Sequence, residues 1–173
     1  TGCVHNPSSN MLLASGVAPV GEMLRGGVRL GLGTDGAAGS NNDLDMMEET
    51  DLAAKLQKVA RMDPRALSAE QAFEMATIGG ARALHMESEI GSLEAGKKAD
   101  LIVLRLDAPH GVPLYDLYAG GGDALKASDV ETVVIAGRTV VDGGRLVTGD
   151  WNAIREEAAE QAKRLSARMR EIV

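Results

Sequence analysis

The stretch "VRLGLGTDGAAGSNN", Val28 to Asn42, decides how this sequence folds. Read one way, Gly31-Leu32-Gly33-Thr34-Asp35-Gly36 matches G-x-G-x-x-G, a dinucleotide-binding fingerprint. Read the other way, Val28 to Gly33 is a strand that delivers one carboxylate, Asp35, at its C-terminal end. A dinucleotide loop needs a helix that starts inside the glycine run, because its N–H groups hold the pyrophosphate. Here "AAGSNN" keeps the chain irregular after Gly36, and Asp35 would stand in the phosphate cradle and repel the ligand. The next helix also leads to another helix rather than to a second parallel strand. The context for a nucleotide site is therefore missing. A strand that ends in Asp at the mouth of a βα barrel places it where catalytic groups gather. Flanking glycines let a substrate approach the backbone. Spacing alone leaves a plainer role open, with Asp35 as a turn or helix-cap residue.

Working outward, Thr1 to Asn6 is predicted as a short strand closed by "NPSS" turn chemistry, and Pro19 to Arg25 as a short helix stopped by Gly26-Gly27. Strand, helix and the Val28 strand make a βαβ unit, hence a parallel pair. Asp43 to Arg61 is predicted as a helix with Leu44, Met47, Leu52, Leu56 and Val59 on one stripe and the acidic residues opposite. Ser68-x-x-Gln71 is a capping box that opens a further helix near Ala69, which Gly79-Gly80 should weaken or bend.

After "EIGSLEAGKKAD" the character changes. Ala99 to Leu106, Val130 to Ala136, Thr139 to Val141 and Arg145 to Val147 read as strands. Turns at Ala136-Gly137-Arg138 and Asp142-Gly143-Gly144 join the last three into an antiparallel module. "AGGGD", Ala119 to Asp123, reads as a flexible loop. Asp150 caps a closing helix whose Trp151, Ile154, Ala158, Leu165, Met169 and Ile172 share one face.

Composition narrows the function classes. With 45% hydrophobic residues but only 2% aromatics among 173, the core must be aliphatic and methionine-rich. A net charge of -7 argues against a nucleic-acid backbone or an anionic membrane as partner. The single cysteine, Cys3, excludes an internal disulfide and fits a reducing, cytoplasmic setting. No apolar run reaches bilayer length, and "TGCVHNPSSN" lacks the form of a signal peptide. It reads as the end of a strand already under way, so part of a longer polypeptide is expected.

Four segments occur in order: "HNPSSNMLLASG", "GVRLGLGTDGAAGSNNDLDMMEETDLAAKLQK", "MATIGGARAL" and "EIGSLEAGKKADLIVL". Together they resemble the C-terminal part of a metal-dependent amidohydrolase. The branch is the chlorohydrolase/deaminase group that includes 5'-methylthioadenosine/S-adenosylhomocysteine deaminases. The likeness covers nearly the whole chain. It implies an α/β fold, with residues 1–88 forming the last two strands and following helices of a (β/α)8 TIM-like barrel. Residues 89–149 would form part of a small β-sandwich, and 150–173 a C-terminal helix. It implies that Asp35 ends the eighth barrel strand, binds a divalent metal, zinc or iron, and shuttles a proton from the water that the metal activates. It implies a pocket-lining, substrate-binding place for His5 and the "HNPSSN" strand, with Asn10 as a further substrate-binding candidate. In the family the segment matching "AGGGD" is more apolar, so looser packing is expected there.

Hydrolytic deamination needs hydroxide at neutral pH, and a bound metal lowers the pKa of its water to about 7. A catalytic zinc takes about three protein ligands, and the resemblance implies that Asp35 is one. The three histidines, His5, His85 and His110, include no His-x-His pair of the kind the family carries on its first barrel strand, so the resemblance implies an incomplete ligand set in this chain. His85 reads as a surface or helix-end residue, and His110 as an exposed loop residue. Ser9 and Asn10 either orient the loop after their strand or make a simple turn, and Asp43 and Asp45 fit solvated or capping places. Cys3 has no basic neighbour and is no nucleophile candidate.

The activity expected is deamination of a purine nucleoside or similar nitrogen heterocycle, in concert with an N-terminal portion or a second chain. Triazine hydrolysis on the same scaffold is the alternative, and a non-catalytic fragment that assembles with another chain is a third. Open strand edges and the amphipathic closing helix favour an oligomer.

Overall fold

The computed structural model describes residues 1–37 and 39–172, without the side chains of the last two. Strand β1 (Gly2–His5) is followed by helices α1 (Pro7–Leu12) and α2 (Val20–Arg25), and then by strand β2 (Arg29–Leu32). The two strands pair in parallel with Cys3 opposite Leu30 and His5 opposite Leu32. This is the expected βαβ unit. The "NPSS" segment is helix α1 rather than a turn. Pro7 sits in its first turn, where the missing N–H is no loss.

Helix α3 (Met46–Arg61) starts later than its periodicity predicts, because the Asp45 carboxylate accepts from the N–H groups of Met47 and Glu48 and fixes the cap. Leu44 stays outside with a left-handed backbone. The buried face is also not the predicted stripe. It carries Met47, Glu49, Thr50, Asp51, Ala53, Ala54 and Gln57, whereas Val59 is 70% exposed. Small and polar side chains fit here because the close-packed neighbours supply partners. Gln57, for example, donates to the Ala18 carbonyl at 2.9 Å.

Helices α4 (Ala69–Ala76) and α5 (Ile78–Ala83) are separated by a break at Thr77. Ser68 and Gln71 form the expected reciprocal capping box. The glycine pair does not cause the break; it lies inside α5, where close approach to β2 demands it. A Cβ on Gly79 would stand 2.9 Å from the Leu30 carbonyl oxygen, and one on Gly31 would stand 2.8 Å from Gly80 Cα. Val20, Leu30, Leu32, Ala53, Ala54, Leu67, Ala72 and Met75 form the core between the strand pair and α2, α3 and α4.

Strands β3 (Leu101–Leu104), β4 (Val130–Ile135), β5 (Arg138–Asp142) and β6 (Arg145–Leu146) form one antiparallel sheet in that order. Both tight hairpins use consecutive left-handed residues, Ala136-Gly137 and Gly143-Gly144, whose twist matches the strands. "AGGGD" is not an open loop. It continues α6 (Leu117–Ala119) into a wide helical turn over Gly120–Ala124, with Gly121 and Gly122 buried. Glycine fits because the turn packs against α3 and α4, with Gly122 facing Ala69 and Thr50. Helix α7 (Trp151–Ile172) is capped by Asp150, which accepts from Asn152 and Ala153. Its face is open, with Trp151 61% and Met169 62% exposed. The Ile172 side chain lies outside the described residues. No helix among the described residues is long and apolar enough to cross a membrane.

Candidate functional site

The parallel register sets the site. His5 ends β1 opposite Leu32, the last residue of β2, and the Gly33 N–H donates to the His5 carbonyl at 3.1 Å. His5 and Asp35 therefore leave the same, C-terminal edge of the pair. Gly33 is confined between Val4 and the Asn6 amide, each 2.8 Å from where a Cβ would stand. The chain then turns at Asp35, whose φ is 63°. A non-glycine residue in that region is held there by its surroundings.

Ser9 holds it. On α1, with its side chain buried, Ser9 Oγ donates to Asp35 Oδ2 at 2.7 Å. This bond, followed by donors at Gly36 and Ser40, keeps the exposed Asp35 carboxyl below its usual range and charged. His5 is only 3% exposed, and neither ring nitrogen has a hydrogen-bond partner among the described residues. Burial pushes its pKa down, so the ring is neutral and its free lone pair is available. Asn10 follows Ser9 on α1, half-buried.

The other histidines are engaged elsewhere. His85 stands past the end of α5 with a left-handed backbone, and its Nδ1 meets Arg29 Nη1 at 2.8 Å. His110 is exposed as expected, and its Nε2 meets the buried Asp129 carboxylate at 2.8 Å. Among the described residues, no three His, Cys, Asp or Glu side chains gather as a metal-holding group. A charged, accessible carboxylate at the C-terminal edge of the strand pair nevertheless fits one donor of a shared metal set. A concavity of about 800 Å³ lies elsewhere, between α4, α5 and β3, and neither Asp35 nor His5 lines it.

Nothing in the sequence marks Asn41 or Glu49, and for Ser9 a turn is the favoured reading over a role in orienting the loop. Ser9 reads as a turn former and Glu49 as a solvated helix residue. Both instead reach partners 26 and 41 positions away.

The model of the amidohydrolase family matches residues 1–140. The chain belongs to the amidohydrolase family. This amidohydrolase chain is 50% identical over 164 residues to a 5-methylthioadenosine/S-adenosylhomocysteine deaminase of Desulforudis audaxviator, covering 95% of this chain and 38% of that protein. The structure of an adenosine deaminase from Xanthomonas campestris with bound zinc matches at TM-score 0.91 and 40% identity, over 95% of this chain and 37% of that one. Atrazine chlorohydrolase from Arthrobacter aurescens, complexed with zinc, matches at TM-score 0.83 and 28% identity, over 92% of this chain and 35% of that one. The amidohydrolase chain thus spans little more than a third of the length of these relatives.

Proposed function

We propose that this chain is the C-terminal portion of a metal-dependent hydrolase that deaminates adenosine-type nucleosides. In this reading β1 and β2 are the last two strands of a (β/α)8 barrel, the four-stranded sheet is part of a small sandwich, and α7 is a C-terminal helix. The observation that carries the reading is Asp35, set at the C-terminal edge of a parallel strand and held charged by the buried Ser9 hydroxyl. The half-exposed or exposed leucine and valine side chains of α3, Leu52, Leu56 and Val59, and the apolar face of α7 are then surfaces for the rest of the barrel or for a second chain. The 50% identity to a nucleoside deaminase favours this substrate class over the triazines, whose hydrolase is 28% identical. A cytoplasmic place fits such chemistry, and association into an oligomer follows from the open faces.

Asp35 would contribute one ligand to a divalent metal, zinc or iron, with the remaining ligands outside this chain. When bound, such a metal acidifies water and supplies a nucleophile at neutral pH. Asp35 accepts the proton released from the attacking water and passes it to the departing amine nitrogen. Ser9 holds Oδ2, so the carboxylate keeps one orientation through both transfers. His5, at the end of β1, and Asn10, on α1, would bind the substrate, His5 through a neutral ring nitrogen.

The test is Asp35→Asn in the polypeptide completed by the rest of the family's chain. The ultraviolet change from adenine to hypoxanthine in 5'-methylthioadenosine reads turnover, and chloride release reads the triazine reaction. Loss of adenine turnover in the variant, with parent activity present, is the expected result. Unchanged turnover would remove Asp35 from the proton path.

A further inference from the structure

We propose that Glu49 is a positioning residue that holds both flanks of Asp35 through a hydrogen-bond chain of fixed polarity. This inference rests on Asp35 being the working carboxylate. Glu49 lies in the first turns of α3 and is 1% exposed. Its Oε2 accepts from the Ser8 backbone N–H at 3.1 Å, and its Oε1 accepts from Asn41 Nδ2 at 2.7 Å. Asn41 is itself buried, and its Oδ1 accepts from the N–H groups of Asp43 and Leu44 at 3.1 and 2.9 Å. The Asn41 N–H reaches back to the Gly36 carbonyl at 3.3 Å.

The two arms meet at Asp35. One arm caps α1 from a distance, because Asn6 at the start of that helix makes no side-chain cap bond. The residue after Ser8 is Ser9, whose hydroxyl grips Asp35 Oδ2. The other arm ties the segment that follows Asp35 to the start of α3. Glu49 thus links the segments before and after the bend.

The polarity allows only one arrangement. The ends of the chain are backbone N–H groups, which only donate. Asn41 must turn its carbonyl to Asp43 and Leu44, and so it offers its NH2 to residue 49. Residue 49 then faces two donors and needs two acceptors, which a carboxylate has and a carboxamide lacks. Glu49→Gln therefore forces one donor against another in a buried place, whichever way Asn41 or Gln at 49 turns. Adding Asn41→Asp resolves the conflict. The new carboxylate accepts from the Gln NH2 and from both backbone groups, while the Gln carbonyl accepts from Ser8.

The experiment compares the parent, E49Q, N41D and the E49Q/N41D pair in two readouts. In the 173-residue chain, E49Q is expected to speed amide exchange at Ser8 and Leu44 about tenfold, and the pair to restore protection. In the polypeptide completed by the rest of the family's chain, E49Q is expected to lower kcat about tenfold or more with KM nearly unchanged, and the pair to recover most of it. N41D alone sets two carboxylates face to face and should be at least as impaired as E49Q. A fold lost in E49Q and regained in the pair counts as the same rescue. A pair as impaired as E49Q, or E49Q indistinguishable from the parent, would overturn the proposal. If exchange responds as expected but the completed parent deaminates nothing, the hydrogen-bond clamp stands and the functional reading falls instead.

Discussion

Replacing Gly31 by alanine tests the packing that supports the whole site. Gly31 is buried in β2, and the strand runs on to Asp35. An added Cβ would stand 2.8 Å from Gly80 Cα, 3.4 Å from Gly80 N and 3.6 Å from the Met75 carbonyl oxygen. Carbon atoms pack best at about 3.5–4.0 Å, so α5 must retreat from β2 by most of an ångström. It cannot retreat freely. Its other contacts are tight, for a Cβ on Gly91 would stand 2.6 Å from Ala81 Cβ and 3.0 Å from Ile78 Cα. Overpacking of this kind costs about 1–3 kcal/mol. For a chain of this length each kcal/mol lowers Tm by about 2–4 °C, so the expected loss is about 2–12 °C. Thermal unfolding followed by circular dichroism and calorimetry measures it. Gly121→Ala is the control, because a Cβ there meets nothing within 4 Å. A Gly31→Ala protein that melts within about 1 °C of the parent would refute the glycine-on-glycine account of the α5–β2 contact.

Three further outcomes follow from named contacts. Ser9→Ala removes the first of the donors that hold Asp35 charged, so the Asp35 carboxyl should titrate closer to its ordinary value of 3.8; carbon NMR of that carboxyl reads the change, and an unmoved titration would mean that Ser9 does not hold it. Asp129 is depressed below 3.8 first by the His110 ring N–H and then by the Lys126 backbone N–H. A carboxyl lowered in the native state adds stability above its unfolded value, and that part is lost as pH falls through the folded value. Urea stability should therefore drop on acidification below about pH 4, and less steeply in Asp129→Asn; parallel slopes in the two proteins would contradict the assignment. Asp45→Ala frees the N–H groups of Met47 and Glu48 and should cost about 1 kcal/mol in urea unfolding; no loss would show that α3 does not depend on this cap.

Local and long-range contacts differ in how much of them residue type alone encodes. Signals that act over a few residues were legible: the Ser68–Gln71 capping box, the Asp150 cap, and the Ala136-Gly137 and Gly143-Gly144 hairpins. Each is set by local backbone geometry and the nearest hydrogen-bonding groups, so residue type is enough. The Asp35 carboxylate at the end of a strand was legible for the same reason.

Tertiary structure alone decided what surrounds that carboxylate. Periodicity placed Leu44, Met47, Leu52, Leu56 and Val59 on the buried face, yet of these only Met47 is buried, while the polar Glu49 and Gln57 are each 1% exposed. Hydropathy ranks polar groups by their affinity for water, and that ranking fails where distant N–H and C=O groups replace the water. Gly79-Gly80 read as a weak point because glycine loosens an isolated helix, whereas against β2 the missing side chains are what allow contact. Ser9 and Asp35, 26 residues apart, carry nothing in their own neighbourhoods that names the other. Their partnership exists only once β1 and β2 lie side by side, because a hydrogen bond senses distance in space and not along the chain.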